Sequence, residues 1–256
     1  MSKKIAIIGN GFLGKAYHKM YPEAVIYDEP LKLGRREEVN QCDMAIVCVP
    51  TDLKKDGTLD MSIVEDVVDW LETPLILIKS ALMPGTTDGL VGAKDKKIAV
   101  SVEMIGEGTY FIPSWKYPDT TNPQMHDMLI VGGEEATATA CAEILWERMS
   151  PDTKIHIVTA MEAELCKLME NAWGALKVTF SNTIYDACEQ LGANFIRTLQ
   201  AWGSDGRVEK MHMRTVSFKR GWKSKCWDKD VVALATLTKS PLLKGLLEAN
   251  KEHLTK

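Results

Sequence analysis

The feature that most constrains the fold is an alternation between short apolar runs and helical or polar segments across the first part of the chain. Two intervening segments, MSIVEDVVDWLE and ATATACAEILWERM, repeat their apolar residues at helical spacing. Strand–helix alternation of this kind favours a parallel sheet with helices on both faces, so it predicts a doubly wound α/β fold. The seven runs are KIAIIG, AVIYD, MAIVCVP, PLILIKS, KIAVSVEM, DMLIVGG and KIHIVT.

The pattern changes after Thr159. Residues 160–192 form one long helical stretch without proline, and it ends at Gly192, a residue type common at helix ends. More helical sequence follows, with no clear strand pattern. We therefore predict an α/β domain over residues 1–158 and a smaller all-α domain over residues 159–256.

Composition and charge narrow the function. Hydrophobic residues make up 45% of the 256 residues and charged residues 26%, as in an ordinary soluble protein. A net charge of -4 gives no reason to expect nucleic acid or an anionic membrane as a partner. No apolar run approaches the roughly 20 residues of a membrane-spanning helix, and the N-terminus lacks the shape of a signal peptide. We expect a cytoplasmic protein.

Six cysteines are scattered along the chain, and none forms a C-x-x-C pair or lies at zinc-ligand spacing. No structural metal is therefore predicted. Cys226 lies among charged residues in GWKSKCWDKD and is a candidate nucleophile. The other five are expected to be small buried residues. They are Cys42, Cys48, Cys141, Cys166 and Cys188.

A G-x-G-x-x-G motif, formed by Gly9, Gly11 and Gly14, follows the first strand and opens a helix. Such glycines permit a tight turn, close approach of a pyrophosphate and close packing of the helix on the strand. Asp28 ends the next strand, 19 residues after Gly9, where a carboxylate binds the adenosine ribose and disfavours a 2'-phosphate. The sequence therefore predicts a Rossmann domain and NAD as the cofactor. A flavin dinucleotide stays an alternative, because the motif recognises the dinucleotide and not the reacting ring.

The later motifs carry a family resemblance. AIVCVPTD, KSALMPGTT, SVEMIGEGT, AELCKLMENAW, FSNTIYDACEQLG and GWKSKCWDKDVVAL follow one another in this order. Together they resemble the UDP-glucose/GDP-mannose dehydrogenase family, from about Lys4 to about His253. Members have a VPTP-type strand end, an S-T-x-x-P-G-T-T loop, an N-P-E-F-x-x-E-G loop, a K-x-x-x-N helix and a G-F-G-G-x-C-x-x-K-D loop. The resemblance implies a Rossmann domain followed by a helical domain like that of 6-phosphogluconate dehydrogenase.

The resemblance also implies the chemistry: oxidation of a primary alcohol on a nucleotide sugar to a carboxylate, with two NAD. Cys226 would be the nucleophile that forms a thiohemiacetal and then a thioester. Lys167 and Asn171, one helical turn apart, would stabilise the oxyanion. Asp230 would hold a water or accept a proton, and Glu103 would be the general base for thioester hydrolysis.

Further cofactor contacts and a homodimer, packed through the helix that carries Lys167, follow from the same resemblance. Pro50, Thr51 and Glu107 would lie near the nicotinamide half of NAD. The remaining cofactor contacts would be Phe12, Leu13, Val49 and Lys229.

Two departures concern the extent of the chain and the hydrolysis step. The chain ends about where the family continues into a further α/β domain that binds the nucleotide of the substrate. Either a separate chain supplies that domain or the substrate is not an ordinary nucleotide sugar. Ala81 stands where the family has a threonine whose hydroxyl helps to position water, so the step from aldehyde to acid is less secure than the first oxidation.

A third departure is in the loop before Cys226, where Lys223 and Ser224 replace two glycines. With Lys219, Arg220 and Lys225 nearby, the loop favours an anionic substrate such as a phosphate or a carboxylate. The alternative is that these lysines only make the loop soluble.

Two other functions stay open. A two-electron dehydrogenase of the β-hydroxyacid type would need Lys167 but not Cys226. An inactive chain, kept as an NAD-binding partner or regulatory subunit, would bind the cofactor without turnover.

Overall fold

Each of the seven apolar runs forms a β-strand in the computed structural model. The strands make one sheet in the order β2-β1-β3-β4-β5-β6-β7. The strands are β1 (Ile5–Ile8), β2 (Val25–Tyr27), β3 (Met44–Val47), β4 (Leu75–Ile78), β5 (Ile98–Val100), β6 (Met128–Gly133) and β7 (Lys154–Val158). The structure describes residues 3–105, 122–208, 211–213, 215 and 219–256.

In the described residues an α-helix follows each of the strands β1 to β4 and β6, and after β7 the helices follow one another. A short 3₁₀ helix also precedes β6, at Pro123–Met125. The α-helices are α1 (Phe12–Met20), α2 (Arg36–Val39), α3 (Ser62–Trp70), α4 (Thr86–Lys94), α5 (Glu135–Trp146), α6 (Ala160–Leu191), α7 (Phe195–Trp202), α8 (Lys225–Thr238) and α9 (Pro241–His253). None of the helices in the described ranges is long and apolar enough to cross a membrane.

The sheet departs from the predicted parallel arrangement at one place. Strands β1 to β5 pair in parallel, and β6 pairs with β7 in parallel, but β5 and β6 are antiparallel. A parallel neighbour needs a long crossover, usually a helix, whereas an antiparallel neighbour does not.

The core lies on both faces of the sheet, because successive strand residues point in opposite directions. On one face, alternate residues of the central strands pack with α3, α4 and the start of α6. On the other face, the intervening residues pack with α1 and α5. Both clusters consist of side chains that are almost completely buried, so the doubly wound arrangement follows from the near-continuous apolar strands.

The strand order reverses between β1 and β3. From β1 the chain goes to β2 on one side of the sheet, and it then returns to β3 on the other. In open α/β sheets, ligands bind in the crevice beyond the carboxyl ends of the strands at such a switch point. The glycine motif follows β1 and the VPTD segment follows β3, so both predicted cofactor segments lie at this crevice.

The chain divides into two compact units. The sheet unit comprises Met1–Lys54 and Leu59–Lys167, and the helical unit comprises Lys55–Thr58 and Leu168–Lys256. The sequence predicted a boundary after residue 158, whereas this division falls inside α6. The first turns of α6 belong with the sheet because Ala160 and Ala163 are buried in the core beside α3 and α4.

A buried carboxylate also ties α6 to α4 within the sheet unit. Glu164 accepts hydrogen bonds from the backbone N–H groups of Gly85, at 2.6 Å, and Thr87, at 2.8 Å. The Thr87 hydroxyl donates to the same carboxylate at 2.7 Å. Burial raises the pKa of Glu164, although these hydrogen bonds act in the opposite direction. Glu164 thereby satisfies amides at the start of α4 that have no partner within the helix.

Candidate functional site

The glycine motif makes a turn in which two of its three glycines have no room for a side chain. Gly9 has a φ of +94°, and a Cβ atom there would lie 2.4 Å from the carbonyl oxygen of Cys48. A Cβ at Gly14 would lie 1.9 Å from the carbonyl oxygen of Gly9. A Cβ at Gly11, in contrast, would meet no heavy atom within 4 Å. Gly9 and Gly14 therefore serve packing, and the backbone at Gly11 is open to a ligand.

The start of α1 is suited to an anion. The helix has no side-chain cap and no acidic residue in its first turn. The helices after β3 and β4 differ: Asp60 accepts the N–H of Ser62 at the start of α3, and Glu164 fills the same position at α4. Unpaired amides and the helix dipole attract a phosphate at α1. The turn and the helix therefore fit the pyrophosphate of a dinucleotide.

Asp28 lies at the end of β2, half-buried, with its carboxylate directed at the glycine turn. Its two oxygens accept the backbone N–H groups of Asn10, at 2.7 Å, and Leu31, at 2.9 Å. A carboxylate has about four acceptor positions, so Asp28 retains capacity for ribose hydroxyls. Its position is the one expected for a residue that binds the adenosine ribose.

The loops after β3 and β4 are tied together at the same crevice. The Thr51 hydroxyl donates to the carbonyl oxygen of Ala81 at 2.8 Å, and the Ser80 hydroxyl donates to the carbonyl oxygen of Val49 at 2.7 Å. Pro50 is exposed between them. Of the other predicted cofactor contacts, Phe12 is exposed and Leu13 is half-buried at the start of α1. Glu107 lies outside the described residues.

Cys226 is the second residue of α8. The Ser224 hydroxyl caps this helix and accepts the N–H groups of Cys226, at 3.2 Å, and Trp227, at 3.4 Å. The positive end of a helix dipole favours a thiolate at this position. Cys226 is also half-buried, so its sulfur combines partial exposure with a stabilising field.

The other cysteines have different surroundings. Four of the five that were predicted to be buried are buried, and Cys166 is half-buried. Cys48 lies at the end of β3 and is the thiol nearest in sequence to the VPTD segment. Burial raises the pKa of Cys48 to about 12, with Lys79 acting in the opposite direction. Burial likewise raises the pKa of Cys141 to about 12. Neither is a ready nucleophile.

Three predicted residues meet in the helical unit. The Asn171 amide donates to Asp230 at 2.6 Å, and the Lys229 ammonium donates to the other oxygen of that carboxylate at 2.7 Å. Asp230 is completely buried. Cys226 precedes Asp230 by four residues on α8, which places both on one face of the helix. The carboxylate of Asp230 is thus engaged in orienting Asn171 and Lys229.

The loop before Cys226 is anchored by its backbone and by an arginine. The Arg220 guanidinium donates to Asp186 at 2.5 Å and to Asn182 at 2.7 Å, and its side chain is almost fully buried. Arg220 is one of the cations that were expected to favour an anionic substrate, and its guanidinium is paired inside the unit with Asp186, which also accepts the ammonium of Lys256. Lys223 and Lys225 are exposed.

Lys167 and Glu103 meet in the sheet unit, but through the backbone. The Lys167 ammonium donates to the carbonyl oxygen of Glu103 at 2.6 Å. The Glu103 carboxylate is buried. It accepts the Tyr17 hydroxyl at 2.5 Å and lies 3.2 Å from the ammonium of Lys79 and 3.3 Å from Nδ1 of His126.

The surroundings of Glu103 keep its carboxylate ionised. Burial alone would raise the pKa of Glu103, but Lys79, His126 and Tyr17 outweigh it, so the pKa lies well below its ordinary value. Burial and the Glu103 carboxylate raise the pKa of Tyr17 well above its ordinary value, so Tyr17 stays a donor. The adjoining cavity measures about 10 Å³, room for one water molecule at most.

Sequence reasoning missed Tyr17, Lys79 and His126. One signal was available for Lys79: it directly follows the buried run Leu75–Ile78, and a lysine at the end of such a strand needs a buried partner. Its ammonium donates to the Ser101 hydroxyl at 2.9 Å as well as facing Glu103. Nothing local marks Tyr17 or His126. In the described residues, no group of three or more histidine, cysteine or acidic side chains is placed to hold a metal ion.

Comparison with known families explains this arrangement of motifs. The NAD binding domain of the UDP-glucose/GDP-mannose dehydrogenase family matches residues 24–150, and the central domain of the same family matches residues 161–252. The chain belongs to the UDP-glucose/GDP-mannose dehydrogenase family. It contains the family's NAD-binding domain, so the prediction of NAD as cofactor is confirmed.

Similar proteins show how much of a family member the chain represents. The UDP-glucose 6-dehydrogenase of Rickettsia prowazekii is 26% identical over 230 residues, which are 84% of this chain and 50% of that protein. The chain thus spans about half the length of the curated relatives it matches. A UDP-glucose dehydrogenase from Pyrobaculum islandicum has a similar fold, with a TM-score of 0.79 and 21% identity, over 98% of this chain and 68% of that one.

A second fold likeness is to a smaller dehydrogenase. The 3-hydroxyisobutyrate dehydrogenase of Mycobacterium tuberculosis aligns with a TM-score of 0.70 and 17% identity, over 99% of this chain and 96% of that chain. At this identity the likeness concerns the fold alone. It agrees with the prediction of a Rossmann domain followed by a helical domain.

Proposed function

We propose that the chain carries out the NAD-dependent oxidation of a primary alcohol on a sugar nucleotide, or on a related anionic sugar, through a covalent intermediate on Cys226. Membership of the family supports the substrate class. The observation that carries the proposal is the start of α8, where Ser224 holds Cys226 at the positive end of the helix and Asp230 orients Asn171 one turn away.

Each residue has a defined part in the proposed reaction. Bound NAD supplies the hydride acceptor for both oxidations. The alcohol carbon first loses a hydride and its hydroxyl loses a proton, which gives an aldehyde. The sulfur of Cys226 then bonds to the aldehyde carbon while the thiol proton passes to the aldehyde oxygen, which gives a thiohemiacetal. Loss of a hydride and of the hydroxyl proton gives a thioester. The oxygen of water then bonds to the thioester carbon and the carbon–sulfur bond breaks. One proton of the water goes to the sulfur, the other is released, and the products are a carboxylate and the free thiol of Cys226.

Lys167 and Asn171 would stabilise the negative charge that develops on the reacting oxygen. An ammonium and an amide N–H are suitable donors for an oxyanion, and each is fixed by a short hydrogen bond, to Glu103 and Asp230 respectively. The cofactor would rest on Gly11 and on the start of α1, with Asp28 at the ribose.

Counting NADH per substrate molecule tests this proposal. The purified chain is mixed with NAD and with UDP-glucose, GDP-mannose and a set of sugar phosphates. Two NADH per substrate and a carboxylate product support the proposal. In Cys226→Ser, oxidation is expected to stop at the aldehyde or to stall, while the control Cys166→Ser keeps its activity. Full four-electron oxidation by Cys226→Ser would refute the covalent role.

A two-electron oxidation is the second candidate, and two observations favour it. Ala81 lacks the hydroxyl that the family resemblance assigns to water positioning, and the buried, ion-paired carboxylate of Glu103 is a weak base for hydrolysis. This candidate yields one NADH per substrate, and its rate is unaffected by Cys226→Ser but abolished by Lys167→Ala. The third candidate, an NAD-binding regulatory subunit, yields a rise in melting temperature with NAD and no NADH with any alcohol.

Self-association through α6 is part of the proposal. Met169, Trp173 and Phe180 are large apolar side chains on this helix, each about half exposed. Exposed apolar residues at helical spacing favour a protein interface. Light scattering on the purified chain is expected to give the mass of a dimer, and Trp173→Glu is expected to give a monomer.

A further inference from the structure

One side chain binds both backbone groups of Trp222, in the loop before Cys226. The carboxamide of Asn250, on α9, accepts the N–H of Trp222 at 2.8 Å and donates to the carbonyl oxygen of Trp222 at 2.9 Å. Trp222 and Asn250 are both buried, so both hydrogen bonds are shielded from water and are strengthened by the low local dielectric. Asn250 therefore fixes the Trp222 backbone at two points, as a neighbouring strand would.

Glycine at position 221 allows α9 to lie directly against this loop. Gly221 has a φ of +67°, and a Cβ atom there would lie 2.9 Å from Oδ1 of Asn250 and 3.1 Å from Cγ of Leu254. A side chain at this position would therefore displace the Asn250 carboxamide from Trp222.

The Trp222 side chain connects the loop to the first turn of α8. Its indole N–H donates to the Thr179 hydroxyl at 2.9 Å, and its ring lies edge-on to the Trp227 ring, with 6.0 Å between the centroids. Trp227 directly follows Cys226, and its backbone N–H is one of the two that Ser224 accepts. Trp222 thus contacts the turn that holds Cys226 and lies two residues before the serine that caps it.

We infer that Asn250 is a positioning residue for Cys226. Asn250 fixes Trp222, and Trp222 fixes the Ser224 cap and the first turn of α8. That turn holds the sulfur of Cys226 where the helix dipole favours a thiolate. The inference rests on the proposed function, in which Cys226 is the nucleophile, and it adds a residue from a different helix to the residues that serve this thiol.

Alkylation of Cys226 at a series of pH values tests the inference without any substrate. The rate of reaction with iodoacetamide is measured at the Cys226 peptide by mass spectrometry, on the intact folded chain. The pH of half-maximal rate reports how strongly the fold stabilises the thiolate, whereas the plateau at high pH reports access to the sulfur. None of the variants changes a charged or titratable neighbour of Cys226; these neighbours are Lys223, Lys225, Asp228, Lys229 and Asp230 along the chain, and His212, whose ring lies against Trp227.

Asn250→Leu removes both hydrogen bonds to Trp222. The pH of half-maximal alkylation is expected to rise by about 0.2–0.7 units, the range of a helix-dipole effect on one anion. The control is Asn40→Leu, because the Asn40 carboxamide also accepts one backbone N–H, of Glu72 at 2.9 Å, and donates to one carbonyl oxygen, of Trp70 at 3.1 Å, but in the sheet unit. Asn40→Leu should leave the half-maximal pH unchanged.

A double variant tests whether Asn250 acts through the cap. In a Ser224→Ala background, Asn250→Leu is expected to cause no further rise, because the capping hydrogen bonds are already absent. Gly221→Ala, which displaces Asn250 without removing it, should raise the half-maximal pH in the parent chain. Its control is Gly192→Ala, because Gly192 has a similar φ of +70° and a Cβ there would meet no heavy atom within 4 Å.

Three results would overturn the inference: an unchanged half-maximal pH in both Asn250→Leu and Gly221→Ala, an equal rise in Asn40→Leu, or rises that simply add in the double variant.

Kinetics separate this inference from the proposed function. With an alcohol that the parent chain oxidises, Asn250→Leu is expected to lower kcat for acid formation and to leave the Kd for NAD unchanged, because Asn250 belongs to the helical unit and the glycine turn to the sheet unit. Weaker NAD binding with an unchanged kcat would contradict the inference. Absence of NADH with every alcohol counts against the proposed function alone, because the alkylation result stands without turnover.

Discussion

Removing the Ser224 hydroxyl should affect both the stability of α8 and the reactivity of Cys226. Ser224→Ala leaves the N–H groups of Cys226 and Trp227 without their acceptor. Loss of a serine cap costs about 0.5–2 kcal/mol. The two hydrogen bonds are long, at 3.2 and 3.4 Å, so a loss of about 0.5–1 kcal/mol in the free energy of unfolding is expected.

The same variant should slow the reaction of Cys226 with a thiol reagent. The helix dipole stabilises an anion at its N-terminus by about 0.3–1 kcal/mol, which corresponds to a factor of about two to five in an equilibrium. Fraying of the first turn removes part of this stabilisation. Alkylation of Cys226 by iodoacetamide at neutral pH should therefore slow by a factor of up to about five.

The chain offers a matched control. Ser240 occupies the equivalent position before α9, but its side chain makes no capping hydrogen bond. Ser240→Ala should therefore change neither the free energy of unfolding, measured by urea titration, nor the alkylation rate, measured at the Cys226 peptide by mass spectrometry. Equal losses of stability in the two variants, or an unchanged alkylation rate in Ser224→Ala, would refute the reasoning.

Three further predictions follow from contacts of single side chains. Gly174→Ala places a Cβ 2.7 Å from the Trp227 ring. The overpacking costs about 1–3 kcal/mol and the higher helix propensity of alanine gains about 1 kcal/mol, so the variant should be less stable than the parent chain. In a Trp227→Leu background, which removes the ring, the same change should stabilise the chain. An equal loss in the free energy of unfolding in both backgrounds, measured by urea titration, would exclude the contact with Trp227 as the cause. Glu103→Gln leaves Lys79 buried without a counter-charge and should cost about 3–5 kcal/mol at neutral pH. The folded-state pKa of Glu103 is lowered, so the stability that its ionised carboxylate contributes is complete above the unfolded pKa of about 4.3 and is lost as the pH falls. The difference in melting temperature between Glu103→Gln and the parent chain should therefore become smaller in acid. A difference that stays constant from pH 7 into the acid range would contradict the ion pairing. Asp28→Asn should weaken NAD binding about ten- to a hundredfold, as expected for the loss of hydrogen bonds to a charged group. It should also reduce the ratio by which the chain binds NAD more tightly than NADP. An unchanged Kd for NAD, measured by calorimetric titration, would show that Asp28 does not contact the ribose.

The strands, the long helix and the glycine turn could be predicted because each depends on local sequence. The seven apolar runs determine the strands, and a proline-free helical pattern determines α6, which ends before Gly192 with its φ of +70°. The need for glycine at 9 and 14 also follows from a local turn, since their contacts are with the neighbouring strand end and with each other.

The cluster around Glu103 could not be predicted, because its members are distant in sequence. Tyr17 and Glu103 are 86 residues apart and meet only in the folded sheet unit, where the hydroxyl of Tyr17 on α1 donates to the carboxylate. Gly174 and Trp227 approach each other for the same kind of reason, through the packing of α6 with α8. Arg220 is a further example: local sequence places a positive charge near the candidate nucleophile, and only the fold shows that this charge is paired with Asp186, 34 residues away in sequence.

The carboxylate of Glu164 has a consequence for how the chain selects a nucleotide. It is covalently part of the protein, so its effective concentration at the start of α4 exceeds that of any dissolved anion. Asp60 does the same at α3. Carboxylates of the chain itself thus occupy the amides at the start of α3 and α4, where a diphosphate could otherwise bind, and the start of α1 stays available to it. The diphosphate of the cofactor would therefore find amides without a side-chain acceptor at the start of α1, and not at α3 or α4.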